Sequence, residues 1–480
     1  MSTQANHPIH EARTLVGASW REGETTLVAS PYDGRPAGRI HRSTHQDVQD
    51  AVEAAASAGR AWAETPAYQR ASALQKITRL MEQHADDLAR VMTLQTGKTL
   101  REARTETLRS ISTMEISAEE AKRIHGEMVP MDAVAPGAGK LGFTLRVPVG
   151  VVAGITPFNA PLSTLCHKLG PALAAGNTLV VKPHPHGSGV TALLGQLVLD
   201  AGLPAGVFNM VHGGADIGAA LVEHPRVALV NFTGSGKVAD QILRSIGLKR
   251  ALLELGGNAP TIVHGDADLD KAVPQCIEAG FGLTGQSCIS TQRIYVQRPI
   301  YETFVERLVA CVRARRLGDP LDTATDTGPM INEAAAIRIE AWIQEAVAQG
   351  AKLRCGGQRN GTLLAPAVLT DVDPRMKVVC EEVFGPVVTV SPYDTLDEAL
   401  QCANATPWGL KSGIFTRSLD VALAAARRLE YGTVNVNAAS RARTDQEPSG
   451  GVKHSGWGKE GPRYAIEEMS DLRMVTIAVG

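Results

Sequence analysis

Between residues 149 and 232 the chain repeats one rhythm: a short apolar run bounded by Gly or Pro, then a stretch long enough for a crossover helix. The runs are 149–156, 178–182, 206–211 and 227–232, and the stretches between them include 163–175 and 188–201. Strands joined by crossover helices lie parallel, and a parallel sheet is covered on both faces. This stretch therefore predicts a parallel α/β layer with helices on either side. A second α/β region is predicted from about 258 to 460, strand-like at 293–297, 387–390 and 433–437 and helix-like at 301–315 and 333–349.

Upstream, 46–97 reads as helical, with Leu74, Ile77 and Met81, then Leu88, Val91 and Met92, at three- and four-residue steps. A polar helix is predicted at about 105–124, and 141–147 alternates like an exposed strand. The tail, 474–479, is a short apolar strand. An unpaired edge is a liability, which favours a partner in a neighbouring subunit over an edge position in its own sheet.

A chain of 480 residues exceeds what one hydrophobic core serves, so two or three domains are expected. Lys and Arg total 48 against 50 Asp and Glu, a net charge of -2. Such a balance provides no global field to draw nucleic acid or an anionic membrane. The polar opening, MSTQANHPIHEAR, lacks a signal-peptide core and no run reaches the roughly 18 apolar residues of a membrane span, so a cytoplasmic protein is expected. The seven cysteines are odd in number and show no CxxC spacing, which argues against a disulfide framework and against a metal site.

Four local patterns could carry chemistry. The loop Thr233-Gly234-Ser235-Gly236-Lys237-Val238-Ala239 reads as GxGxxA after a strand, which suits a dinucleotide phosphate, and Glu254 could then be its ribose-binding acid. It follows the fourth strand of the run, however, and a packing turn reads as well. Lys182 leaves the second strand where such sheets bind ligands. Glu254, in Glu254-Leu255-Gly256-Gly257-Asn258, and Cys288, in Gly285-Gln286-Ser287-Cys288, are a carboxylate and a thiol on glycine-rich turns, the pair that covalent catalysis at a carbonyl requires; a surface Glu and a core Cys are the alternative. Asn159, in Thr156-Pro157-Phe158-Asn159, could donate to an oxyanion or serve a turn.

In order along the chain, TPFN, VKP, FTGS, LELGGN, GQSC and EEVFGPV resemble the signature series of the aldehyde dehydrogenase superfamily over nearly the whole length. Ser117 to Gly126 and Gly450 to Gly456 are most similar to the bacterial lactaldehyde- and phosphonoacetaldehyde-type members. The resemblance implies an aldehyde dehydrogenase-like α/β fold: a dinucleotide-binding domain (1–122 and 146–256), a catalytic domain (257–463), and a β oligomerisation arm (123–145 and 464–480) of a homodimer or homotetramer. It implies Cys288 as nucleophile, Glu254 as general base, and Asn159 with the Cys288 N–H as oxyanion donors. The cofactor, NAD or NADP, would be held by Thr156, Phe158, Lys182, Pro185, Gly234, Ser235, Glu382 and Phe384. Glu254 then serves the chemistry, and the GxGxxA match is coincidental. The implied reaction forms a thioester on Cys288, which water activated by Glu254 hydrolyses.

Several positions depart from the commonest family pattern. Pro185 stands where NAD-preferring members carry Glu, which removes repulsion against a 2′-phosphate and predicts that NADP is tolerated, with His184 or His186 as possible helpers. Ala160 and Ser449 replace aromatic residues and Ser287 is small, so a wide, polar mouth for a short polar or anionic aldehyde is expected. Arg109, His167 and Arg443 join Ser287 and Ser449 as candidate substrate residues; for the two arginines a helix-surface salt bridge and a loop hydrogen bond are the alternatives. The competing functions are an aromatic aldehyde dehydrogenase, a coenzyme A-acylating semialdehyde dehydrogenase, a glutamyl phosphate reductase and an inactive crystallin-like protein. Glu254 disfavours the coenzyme A reading, and the intact Cys288, Glu254 and Asn159 disfavour the inactive one.

Overall fold

The four apolar runs form strands Val151–Thr156, Thr178–Pro183, Phe208–Met210 and Val227–Thr233 in a computed structural model that describes residues 9–479. Residues 1–8, which begin the polar opening, and Gly480 lie outside the described residues. Alternate side chains of these strands enter opposite cores: Val152, Leu179, Val181 and Leu229 one, Val151, Ala153, Val180 and Val230 the other. Burial on both faces is why each run reads as continuously apolar.

A fifth parallel strand, Arg250–Glu254, joins the sheet with only Leu252 and Leu253 buried among its residues, too short a run for periodicity to mark. The spatial order is 250–254, 227–233, 151–156, 178–183, 208–210. From 151–156 the chain builds in one direction through 178–183 to 208–210, then returns to add 227–233 on the other side of 151–156. The carboxyl ends of 151–156 and 227–233 therefore flank a topological switch point, where open α/β sheets leave a crevice for ligands. Short antiparallel strands, Thr14–Val16 and Gly456–Trp457, extend the two sides.

The helical stretch is three helices, His45–Glu64, Ala67–Gln83 and Ala85–Thr96, interrupted at Pro66 and His84. The predicted 105–124 helix runs Leu100–Ala121. It starts early because Thr99 and Glu102 form a capping box, each side chain bonding the other's backbone N–H. The second sheet, in order Lys352–Cys355, Ala367–Thr370, Val387–Tyr393, Thr291–Gln297, Ala259–Val263, Lys411–Phe415 and Thr433–Val436, is parallel except for its first strand.

The tail strand is longer than its apolar core suggests and its partner lies in the same chain. Ser470–Ala478 pairs antiparallel with Lys140–Pro148, which in turn pairs with Met128–Val129. This corrects the expectation that the tail needs another subunit to pair with. One edge of this three-stranded sheet is 470–478, with Leu472, Met474 and Ile477 exposed. Among the described residues no helix is long and apolar enough to cross a membrane.

Candidate active site

A cavity of about 950 Å³ opens at the switch point and runs to the second sheet. Thr156, Phe158 and Asn159 line it from the end of strand 151–156, and Gly234 and Ser235 from the turn after 227–233. Glu254 enters from the end of 250–254, while Ser287 and Cys288 face it from the loop before Thr291–Gln297.

Cys288 is half-buried, whereas Cys166 and Cys276 are fully buried in the hydrophobic cores. Its loop is tied on both sides. Before it, Leu283 and Thr284 adopt φ of 54° and 55°, rare for residues with a Cβ, while the Leu283 N–H donates to Glu102 at 2.6 Å. After it, the Ser440 hydroxyl donates to the Ile289 carbonyl at 2.8 Å. Gly257 allows the Glu254–Asn258 segment to press against this loop, since a Cβ there would strike the Cys288 carbonyl oxygen. Burial, then the charges of Glu254 and Glu382, push the Cys288 thiol up to about 12, with Arg443 opposing.

The Glu254 backbone carbonyl accepts from Gly234 N–H at 3.0 Å, so adjacent strands bring the glycine loop and the acid together. Its Oε1 is buried without a hydrogen-bond partner, a costly arrangement that marks a group facing a ligand or water. Burial, then Glu460, push its carboxyl well above the ordinary carboxylate range, while Arg443, Lys168 and Lys459 oppose. Neither Glu460 nor Lys168 is marked by a sequence pattern, because both signals are single charged residues in unremarkable context. Lys168 donates to Asn231 Oδ1 at 2.8 Å and Thr233 Oγ1 at 2.7 Å and stands 3.9 Å from Glu460.

Asn159 is held by its backbone. Lys98 donates to the Asn159 carbonyl at 2.8 Å and pairs with Glu106, whose Oε1 accepts from Leu162 and Ser163 N–H at 3.0 and 3.1 Å. Those amides open helix Pro161–Ala175, where a carboxylate is favoured. Lys98 and Glu106 thus fix the turn that carries Asn159, although the sequence patterns single out neither.

On the opposite side the cavity suits a dinucleotide. Lys182 is buried and makes no ion pair among the described residues; burial lowers its ammonium, with Asp216 opposing. Thr156 Oγ1 is buried without a partner, and Ser235 stands at the N-terminus of helix Gly236–Ser245. An unpaired cation, an orphaned hydroxyl and a helix N-terminus on one wall fit an anionic cofactor with hydroxyls. Glu382 accepts from Gly257 N–H at 2.9 Å, and burial pushes it up to about 7. Phe384, at φ 50°, meets Phe158 edge-on at 6.0 Å, and Phe158 meets His184 at 5.3 Å.

Pro185 is apart from these residues. It lines a second cavity of about 710 Å³ together with His186 and Arg42, while His184 stays on the wall of the first. Burial disfavours the charged form of both His184 and His186, the residues offered as helpers toward a 2′-phosphate. Burial, then His186 and Lys182, hold His184 down at about 3, and burial lowers His186 as well. His184 Nδ1 accepts the His186 N–H at 3.2 Å, as a neutral ring does.

The model of the aldehyde dehydrogenase family matches residues 20–475. The chain belongs to that family. It is 45% identical to the 3-sulfolactaldehyde dehydrogenase of Priestia megaterium over 462 residues, 95% of this chain and 96% of that one. The crystal structure of aldehyde dehydrogenase 21 from Physcomitrella patens in complex with the reaction product succinate matches with a TM-score of 0.97 at 35% identity, covering 98% and 99% of the two chains. An E. coli NADP-dependent enzyme matches with a TM-score of 0.95 at 37% identity, covering 98% of each. The protein is thus an oxidoreductase acting on aldehydes, with the aldehyde dehydrogenase fold.

The candidate substrate residues of this aldehyde dehydrogenase also line the cavity, but Arg443 and His167 are bound to each other and Arg109 joins them through Asp445. Arg443 Nη2 stands 3.0 Å from Glu460 and 3.1 Å from His167 Nε2. A guanidinium only donates, so Nε2 accepts and the ring proton sits on Nδ1, which is buried without a partner. Arg109 donates to Asp445 at 2.6 Å, and Asp445 lies 3.7 Å from His167. Burial alone would raise Glu460; the Arg443 guanidinium and the Lys168 ammonium beside it outweigh burial and hold that carboxyl low. Ser287 and Ser449 face the cavity with Ala160, leaving small side chains at these positions. Arg441, which no sequence pattern marks, also lies on this wall.

Proposed function

We propose that this aldehyde dehydrogenase oxidises a short polar or anionic aldehyde to its carboxylic acid through a thioester on Cys288, with NAD or NADP as cofactor. The observation that carries the reading is the convergence of Cys288, Glu254 and Asn159 on one cavity whose far wall suits a dinucleotide. The Cys288 sulfur adds to the aldehyde carbon as the thiol proton leaves to a base or water. The Asn159 amide and the Cys288 N–H donate to the oxygen as it becomes negative. A nicotinamide bound there would supply the hydride acceptor, and Cys288 would carry the resulting acyl group as a thioester. Glu254 takes a proton from water, the hydroxide displaces the sulfur, and the acid departs. The small side chains of Ala160, Ser287 and Ser449, two of them hydroxyls, and the arginines around them support a polar or anionic substrate.

Asn159→Ala is expected to lower kcat by about 10²- to 10³-fold, the usual loss for one oxyanion donor. Steady-state kinetics with thermal unfolding as a control test this; an unchanged kcat rejects the donor role. Lys182, Thr156, Gly234, Ser235, Glu382, Phe158 and Phe384 would hold the cofactor, while Pro185, three residues after Lys182, faces the second cavity. The proline in place of a carboxylate supports tolerance of NADP, and Pro185→Glu is expected to lower kcat/KM for NADP relative to NAD by about tenfold or more. A wild-type preference for NAD of several orders of magnitude would count against this.

The first sheet with its helices (residues 1–122 and 146–256) would bind the cofactor and 257–463 would carry the nucleophile. The segments 123–145 and 464–480 would be the arm of a homodimer or homotetramer, a reading supported by the exposed Leu472, Met474 and Ile477. Coenzyme A-dependent turnover would favour the acylating alternative over hydrolysis.

A further inference from the structure

We propose that Arg441 recognises the anionic end of the substrate, and that Gly282 is the residue that makes room for it. The inference rests on the reading above that the substrate is a short anionic aldehyde, and assigns which residue selects it.

Four arginines line the cavity, and three are already matched by carboxylates. Arg101 meets Asp326 at 3.2 Å, Arg109 meets Asp445 at 2.6 Å and Arg443 meets Glu460 at 3.0 Å. Arg441 makes no carboxylate pair among the described residues; its Nη1 donates to the Glu278 backbone carbonyl at 3.1 Å. The Glu278 side chain, on the same wall, faces Arg315 at 4.0 Å. A half-buried guanidinium without a counterion, with donors left over, presents the planar fork that a carboxylate, sulfonate or phosphonate accepts.

Its position is set from the reacting side. Arg441 follows Ser440, whose hydroxyl holds the carbonyl of Ile289, the residue after Cys288. Asn435 Nδ2 holds the Ala439 and Ala442 carbonyls at 3.1 and 3.2 Å, bracketing the same turn. The guanidinium and the nucleophile are therefore fixed to one piece of backbone, which limits the length between the anion and the carbonyl of an aldehyde that reaches both. The guanidinium crosses the face of Gly282, where any Cβ would collide with Nη1. Gly282 has φ of -59°, a conformation open to every residue, so space for Arg441 and not backbone strain accounts for a glycine here.

The alternative role is a cap. Glu278 O is a last-turn carbonyl of helix Leu269–Phe281 and also accepts from Gly282 N–H, so Arg441 could simply satisfy the helix end. A cap affects stability and leaves substrate preference alone.

The experiment compares kcat/KM for 4-oxobutanoate with that for butanal, equal in chain length, in the intact enzyme. The wild type is expected to prefer the carboxylated aldehyde. Arg441→Ala is expected to reduce that preference about a hundredfold, mainly through KM, and Arg441→Lys, which keeps the charge without the fork, about tenfold. Gly282→Ala should displace the guanidinium and reproduce the Arg441→Ala effect, and adding it to Arg441→Ala should cause no further loss of preference. Thermal unfolding reports on folding of each variant. A wild type that prefers 4-oxobutanoate, with the preference intact in Arg441→Ala, overturns this assignment and leaves the anionic-aldehyde reading standing. A wild type without the preference overturns both.

Discussion

Cys288→Ser is expected to reduce aldehyde oxidation by at least about 10³-fold while leaving thermal unfolding close to that of the wild type. A serine hydroxyl is a far weaker nucleophile than a thiol near neutral pH, and nothing else on the cavity wall replaces a sulfur at that place. The measurement is kcat with purified protein, beside mass spectrometry after iodoacetamide, where the Cys288 adduct should disappear. The wild-type thiol, pushed up to about 12 by burial, Glu254 and Glu382, is almost wholly protonated at pH 7. Alkylation should therefore accelerate with each pH unit and show no plateau near 9. Glu254→Gln removes one of the charges that raise it, so its Cys288 should react faster than wild type at the same alkaline pH. Turnover surviving in Cys288→Ser would remove the basis of the proposed chemistry.

Glu254→Gln is the second large effect, and it should separate the two halves of the reaction. Without the base, hydrolysis of the thioester is expected to slow by about 10²- to 10⁴-fold, while the first turnover proceeds. Rapid mixing should show a burst of absorbance close to one per active site, then a slow phase, and mass spectrometry should find the acyl group on Cys288. In the wild type, burial and Glu460 raise the Glu254 carboxyl, so its basic form grows as pH increases. Hydrolysis-limited kcat should rise with pH as that basic form accumulates, and this rise should vanish in Glu254→Gln. A variant that loses burst and steady state in equal measure would show that Glu254 acts before the thioester forms.

The strands at 151–156, 178–183 and 227–233 were legible because burial on both faces leaves an uninterrupted apolar run, a property of neighbours in sequence. Arg250–Glu254 was not, since only its Leu252 and Leu253 are buried. The breaks at Pro66 and His84 escape a 3.6-residue pattern because apolar steps continue across them. The residues of the cavity were legible as an ordered series of short motifs, each weak alone. The charges that act on them were not: Glu460 and Lys168 meet across elements far apart in the chain, and no local pattern announces a buried pair.

From its order of residues alone, this chain is a parallel α/β protein carrying the aldehyde dehydrogenase signature series, because strand burial and turn chemistry are written in adjacent positions. Only the folded arrangement decided that the glycine loop and Glu254 share a switch point, that Ser470–Ala478 pairs with Lys140–Pro148, and that Arg441 alone among the cavity arginines lacks a carboxylate among the described residues. Each of those depends on which distant side chain arrives within a few ångströms, and such distances are set by the packing of whole layers.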